Sequence, residues 1–206
     1  MTNVEHRILY AAMRLFAERG GTQIPVSDLA REAGLSRGTI YNNRADVAGI
    51  YDAVCGMMAS ELTGAFNRRL SGLADPAQQL AGAVTLCLRR VHEEPHWGRF
   101  IARYAMGEPR LGDAWHRITA DALRAGRTSG RFDFAADQLA SVTAVSGGAT
   151  FGAMTLVLNG HRAWRQVAAD SAEMVLRAVG LSQPEARRLA LAELDPLPRI
   201  DHFDAA

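Results

Sequence analysis

Residues Ala33–Arg44 read AGLSRGTIYNNR: a glycine, a serine two places on, then a short stretch ending in two asparagines and an arginine. Gly34 suits the left-handed cap that closes one helix, and Ser36 suits the N-cap that opens the next. Upstream, Val26, Leu29, Ala30 and Ala33 share one helical face, and Pro25 fits the start of that helix. Further back, Ile8, Ala11, Ala12, Leu15 and Phe16 fall at i, i+3, i+4, i+7 and i+8 on a first helix that ends near Gly20 and Gly21. The first 46 residues therefore predict three short helices, the last two joined by a turn containing Gly34, in a helix-turn-helix arrangement.

Helical spacing continues to the far end of the chain, and no alternating run bounded by turns predicts a strand, so the expected fold is all-α. Asp46 is the expected cap of a long fourth helix carrying Val47, Ile50, Tyr51, Val54, Met58 and Leu62 inward as far as about Leu70. Glu94-Pro95 and Glu108-Pro109 mark breaks, because a residue before proline is pushed out of the α region. They delimit helices near 76–92, 96–106 and 110–128. Two more are expected over about 134–159 and 165–179. Ser182 and Glu185 form an S-x-x-E capping box for a last one, with a loose tail from 196 to 206. The expected organisation is a head at 1–46 and a larger helical body at 47–195.

Of the 206 residues 48% are hydrophobic, and the formal net charge is +1 with every basic residue an arginine. A near-zero charge excludes non-specific adhesion to nucleic acid over the whole surface but leaves room for a local basic patch. No apolar run is read as approaching the roughly 20 residues of a membrane span, and the N-terminus lacks the basic head and apolar segment of an export signal. A soluble cytoplasmic protein without a membrane partner is expected. Cys55 and Cys87 lie far apart within apolar helical patterns, as reduced core thiols would.

Two stretches mimic enzyme motifs. His92-Glu93-Glu94-Pro95-His96 matches H-E-x-x-H, in which two histidines one turn apart hold zinc and Glu93 acts as base. Pro95 breaks the helix that would align His92 and His96. Ala144-Val145-Ser146-Gly147-Gly148 approximates a nucleophile elbow but lacks the strand that motif needs. Gly147, Gly148 and Gly152 instead read as a small-residue stripe for close helix approach.

HRILYAAMRLFAERGG followed by VSDLAREAGLSRGTIY resembles the N-terminal domain of the TetR family of bacterial transcriptional regulators, over about the first 55 residues. The matching positions are Ile8, Ala11, Ala12, Leu15, Phe16, Gly20, Leu29, Ala30, Ala33, Gly34, Leu35, Ser36, Gly38, Thr39, Ile40 and Tyr41. The resemblance implies double-stranded operator DNA as partner, contacted through Ser36, Arg37, Gly38, Thr39 and Tyr41, with Ile40 facing inward; the amides of Asn42 and Asn43 and the cation of Arg44 are expected to add base-edge and phosphate contacts at the end of the same helix. It implies a homodimer built from the helices near 134–159 and 165–179, and a repressor released by a small molecule with a large apolar part. No cofactor is implied. The chain departs from the family in having Asn42-Asn43-Arg44 after the tyrosine, Val47 where a lysine usually stands, and Pro25 in place of a threonine.

For the effector the body offers Met58, Phe66, Trp97, Phe100, Ile101, Tyr104, Met106, Trp115, Phe151 and Met154 as apolar lining, with Arg99, Arg103 and His92 as polar partners. An ordinary core role competes with ligand contact at each apolar position. Three functions are distinguishable: a ligand-responsive repressor, a helical ligand-binding protein with a degenerate DNA-binding domain, and a zinc hydrolase using His92, Glu93 and His96.

Overall fold

The computed structural model describes residues 2–43 and 47–198, and within them regular structure is helical throughout. The elements are α1 (Asn3–Arg19), α2 (Val26–Ala33), α3 (Arg37–Asn43), α4 (Ile50–Leu70), α5 (Pro76–Glu93), α6 (Pro95–Tyr104) and α7 (Pro109–Thr128), then a 3-10 turn at Ala136–Gln138, α8 (Leu139–Leu158), α9 (Trp164–Ala178) and α10 (Gln183–Ala190). Proline opens α5, α6 and α7, where its missing N–H costs nothing. The Asp75 carboxylate accepts from the Ala77 N–H at 2.9 Å to cap α5.

α1 carries Ile8, Leu9, Ala12, Leu15 and Phe16 into a core closed by Leu29 and Ile40, and it also packs on α4 and α6. The head is thus seated on the body by its longest helix. In the body α5 touches α6, α7, α8 and α9, and its Leu80, Val84, Cys87, Leu88 and Val91 are buried. Both cysteines are free and buried; desolvation pushes Cys55 up to about 11 and Cys87 up to about 12, so neither is a reactive thiolate.

Four expectations change. α4 begins at Ile50 rather than near 46: Val47 lies half-buried in a bend, and its carbonyl accepts from the Ile50 N–H at 3.3 Å. The proposed cap Asp46 lies outside the described residues. The Ser182–Glu185 capping box does not form, because Glu185 instead accepts from Arg131 Nη2 at 2.8 Å. That guanidinium also holds both oxygens of Asp75 at 3.0 Å, so Arg131 ties the start of α5 to α10. The last helix stops at Ala190, and the strap behind it is pinned by Arg69, which donates to Asp195 Oδ2 and the Pro196 carbonyl while Leu197 is buried. Residues 199–206 lie outside the described residues.

Finally, the segment Ala136–Leu158 is by length and composition apolar enough to cross a membrane, contrary to the sequence reading. Here it packs on α5, α7 and α9 and buries Thr143, Ser146 and Thr150, whose hydroxyls donate to Leu139, Thr143 and Ser146 carbonyls. Ser146 is therefore a mid-helix residue bonded to its own backbone, not a nucleophile on a strand–helix elbow.

Candidate nucleic-acid interface and effector core

The turn before α3 is built as its residues dictate. Gly34 adopts φ 63°, ψ 38°, the left-handed cap that other residues resist, and Arg7 Nη2 donates to the Ala33 carbonyl at 2.9 Å, fixing the end of α2 to α1. Ser36 Oγ accepts from the Thr39 N–H at 3.0 Å and stands 2.9 Å from Thr39 Oγ1. One residue of α3, Ile40, is fully buried and sets the helix's rotation. As a result Ser36, Arg37, Gly38, Tyr41, Asn42 and Asn43 are exposed together and Thr39 is half-buried beside them.

Gly38 distinguishes this surface from an ordinary solvated helix. A Cβ there would meet nothing closer than Ser36 Oγ at 3.7 Å, an ordinary contact, so no internal packing requires glycine. A bare Cα on the exposed side leaves room for another molecule's backbone to come close. Tyr41 is 55% exposed, although it is large enough to be packed. Asn43 spends its amide differently from the sequence reading: Nδ2 donates to the Thr39 carbonyl at 2.9 Å, closing the helix end. Arg44 lies outside the described residues. The acidic groups behind α3 are matched within the head: Arg14 pairs with Glu32 at 2.9 Å, and bonds from Arg19 and Arg31 hold the Asp28 carboxyl below its ordinary range.

The sequence-predicted effector residues fall into separate groups. Phe100 and Tyr104 form a ring chain with Tyr51 and Phe16, with centroids 4.9, 5.3 and 5.4 Å apart along it. Phe66, Trp115 and Phe151 form another, at 6.2 and 5.7 Å. Trp97 lies under the Arg90 guanidinium at 4.8 Å, and Met58, Ile101 and Met154 are buried. Met106, by contrast, is exposed. Tyr104 joins core to head: its hydroxyl donates to the Gly21 carbonyl at 2.7 Å, with the Phe16 carbonyl at 3.2 Å. Tyr104→Phe is expected to lower stability to urea by about 1 kcal/mol, the worth of one such bond; an unchanged unfolding midpoint would show that the bond ties nothing down.

The expected polar partners do not enter the core. Arg99, Arg103 and His92 are exposed, with His92 stacked on Trp164 at 5.9 Å. Sequence reading missed Arg90 and Glu94, both buried, and Glu61, whose side chain is 22% exposed. A signal existed: Arg90 continues the face of α5 that carries Ala83 and Cys87, and Glu94 stands four residues on from it. The zinc reading loses its geometry as well. Glu94 sits at φ −129°, ψ 75° between two helices, so His92 belongs to α5 while His96 belongs to α6 and faces Glu18 of α1 at 3.5 Å.

A family model for the tetracyclin repressor-like C-terminal domain matches residues 75–192, and one for bacterial regulatory proteins of the tetR family matches residues 8–43. An uncharacterised HTH-type transcriptional regulator of Mycobacterium tuberculosis (strain ATCC 25618 / H37Rv) is 30% identical over 89 residues, which are 43% of this chain and 44% of that protein. The match thus spans less than half the length of this curated relative. Among solved structures, RolR in complex with resorcinol is 27% identical with a TM-score of 0.68, covering 96% of each chain. FadR from Bacillus subtilis in complex with stearoyl-CoA shares the fold, at 19% identity and a TM-score of 0.69 over 84% of this chain and 96% of that one. With one model spanning more than half of the residues and another covering the head, the chain belongs to the TetR family of bacterial transcriptional regulators.

Proposed function

We propose that the chain is a cytoplasmic, homodimeric repressor that binds an operator through α3 and leaves it when a small molecule enters the body. The observation that carries the DNA reading is the exposed face of α3: a glycine that no internal contact requires, between the exposed Arg37 and Tyr41. Such a surface suits phosphate and base-edge contacts in a major groove. RolR with resorcinol and FadR with stearoyl-CoA make a small molecule the fitting kind of effector. Selection of bound fragments from a random DNA pool tests the reading; failure to enrich any sequence would leave a ligand-binding protein with a degenerate head. Val47 favours that second reading, because it packs on the core where a phosphate-binding lysine usually stands.

On a selected operator, Arg37→Ala is expected to weaken binding similarly across sequence variants and to reduce the salt slope by about one per subunit. Asn42→Ala is expected to relax one operator position by about 1–3 kcal/mol with little change of slope. Wild-type affinity in both variants would exclude this face. Release is tested by adding resorcinol and fatty acyl-CoA to the preformed complex, since an effector must favour the DNA-free state to shift anything.

Dimerisation is proposed through α8 and α9. Val145, Leu156 and Met174 are 61%, 41% and 67% exposed, an unusual display for apolar side chains on two adjacent helices. The glycine stripe divides. A Cβ on Gly147 would stand 3.0 Å from Trp115 Nε1, so this residue belongs to the protomer's core, whereas Gly148 and Gly152 meet nothing within 4 Å and face outward.

A further inference from the structure

Where α4, α5 and α6 meet, the body holds a charged cluster in place of apolar packing. Arg90, 2% exposed, donates from Nη1 to Glu61 Oε1 at 2.6 Å, and its Nε stands 3.3 Å from Glu94 Oε1. Its guanidinium also covers the Trp97 ring. Taking a guanidinium and two carboxylates out of water is unfavourable unless their remaining hydrogen-bonding positions are filled. Among the described residues they are not all filled: Arg90 Nε and Nη2, Trp97 Nε1 and Glu61 Oε2 are buried without a hydrogen-bond partner. The Trp97 indole lies beside the Glu61 carboxylate yet outside hydrogen-bond geometry. Buried polar groups of this kind are ordinarily completed by a water or a ligand.

The orphaned atoms specify what completes them. Glu61 Oε2 accepts and needs a hydrogen; Trp97 Nε1 and Arg90 Nη2 donate and need a lone pair. A ligand carboxylate has no hydrogen for Glu61, and an ammonium has no lone pair for Trp97. One neutral hydroxyl does both through a single oxygen. The cluster also reaches solvent, since Glu61 is 22% exposed along α4. We propose that this seam is the polar end of the effector site, and that its ligand is a neutral small molecule whose hydroxyl donates to Glu61 Oε2 and accepts from Trp97 Nε1. The proposal rests on the reading of the body as effector-binding and adds the chemistry of the effector.

The test is calorimetric titration of the protein with phenol and catechol, which present a neutral hydroxyl, and with benzoate, which presents an anion. At least one hydroxyl compound is expected to bind, at least tenfold more tightly than benzoate. Glu61→Gln and Trp97→Phe, which keep size and remove the charged acceptor or the donor, are each expected to weaken it about tenfold or more, as loss of a charge-assisted or buried bond does. The wild-type preference needs no variant, so a variant that misfolds does not spare the proposal. Three results overturn it: no binding of either hydroxyl compound, which would leave solvent alone in the seam; benzoate binding equally well; or wild-type affinity in both variants. Operator binding is measured separately. Hydroxyl binding without an operator would remove the regulator reading and keep this site, whereas release of an operator only by a ligand lacking a hydroxyl would do the reverse.

Discussion

Arg90→Leu is expected to destabilise the protein by about 3–5 kcal/mol at pH 8, the cost of leaving a buried charge without its partner. Glu61 and Glu94 would then share the seam between α4, α5 and α6 with an apolar side chain that matches neither. Burial already pushes the Glu61 carboxyl above its ordinary value, and Arg90 is what pulls it back. A carboxyl raised in the folded state favours folding when protonated. Its contribution is present below the unfolded value of 4.5 and is lost as pH rises through the raised value. Removing Arg90 widens that gap, so the deficit of the leucine variant should be smaller at pH 5 than at pH 8. Urea unfolding of both proteins at the two pH values measures it. An equal deficit at both would assign the loss to packing around Trp97 rather than to charge.

Gly148→Glu is expected to yield a folded monomer whose operator affinity is lower by a factor of 10² to 10⁴, the gain that linking two binding modules supplies. Nothing lies within 4 Å of a Cβ at this position, so the protomer itself has room for the side chain. A carboxylate at 148, one turn along α8 from the exposed Val145, would lose its hydration if a second copy covered that face. Light scattering reports the assembly state and circular dichroism the fold. A wild-type dimer that survives the substitution would move the interface elsewhere. Gly147→Glu makes the contrasting control, because its side chain would drive into Trp115 and damage the protomer core.

Much of the architecture was legible because it is written locally. Gly34, the prolines at 95 and 109, and the spacing from Ile8 to Phe16 each act on the backbone or on one helix face, and the helices end where those residues say. Several of the errors have a different origin, since they depended on a partner remote in sequence. Glu185 looked like the reciprocal half of a cap until Arg131, 54 residues away, claimed its carboxylate. Arg99 and Arg103 were read as polar partners of the effector, yet the buried arginine among the described residues is Arg90, whose rotation on α5 is set by helices packing around it. Gly147 and Gly148 are neighbours in one helix, about 100° apart around its axis, and only the first meets Trp115.

The same tertiary tie bears on the spacing of DNA sites. α1 is clamped to α6 by the Tyr104 hydroxyl and packed on α4, so each head moves with its body. In a dimer so built, the two recognition helices are held like the jaws of a fixed-gap caliper. Adding one base pair between operator half-sites lengthens their separation by about 3.4 Å and turns one about the axis by roughly 35° relative to the other. Heads on slack tethers would absorb both changes. Heads seated as these are would have to twist the DNA instead, so this chain should discriminate operators by the length of a spacer whose bases it never touches.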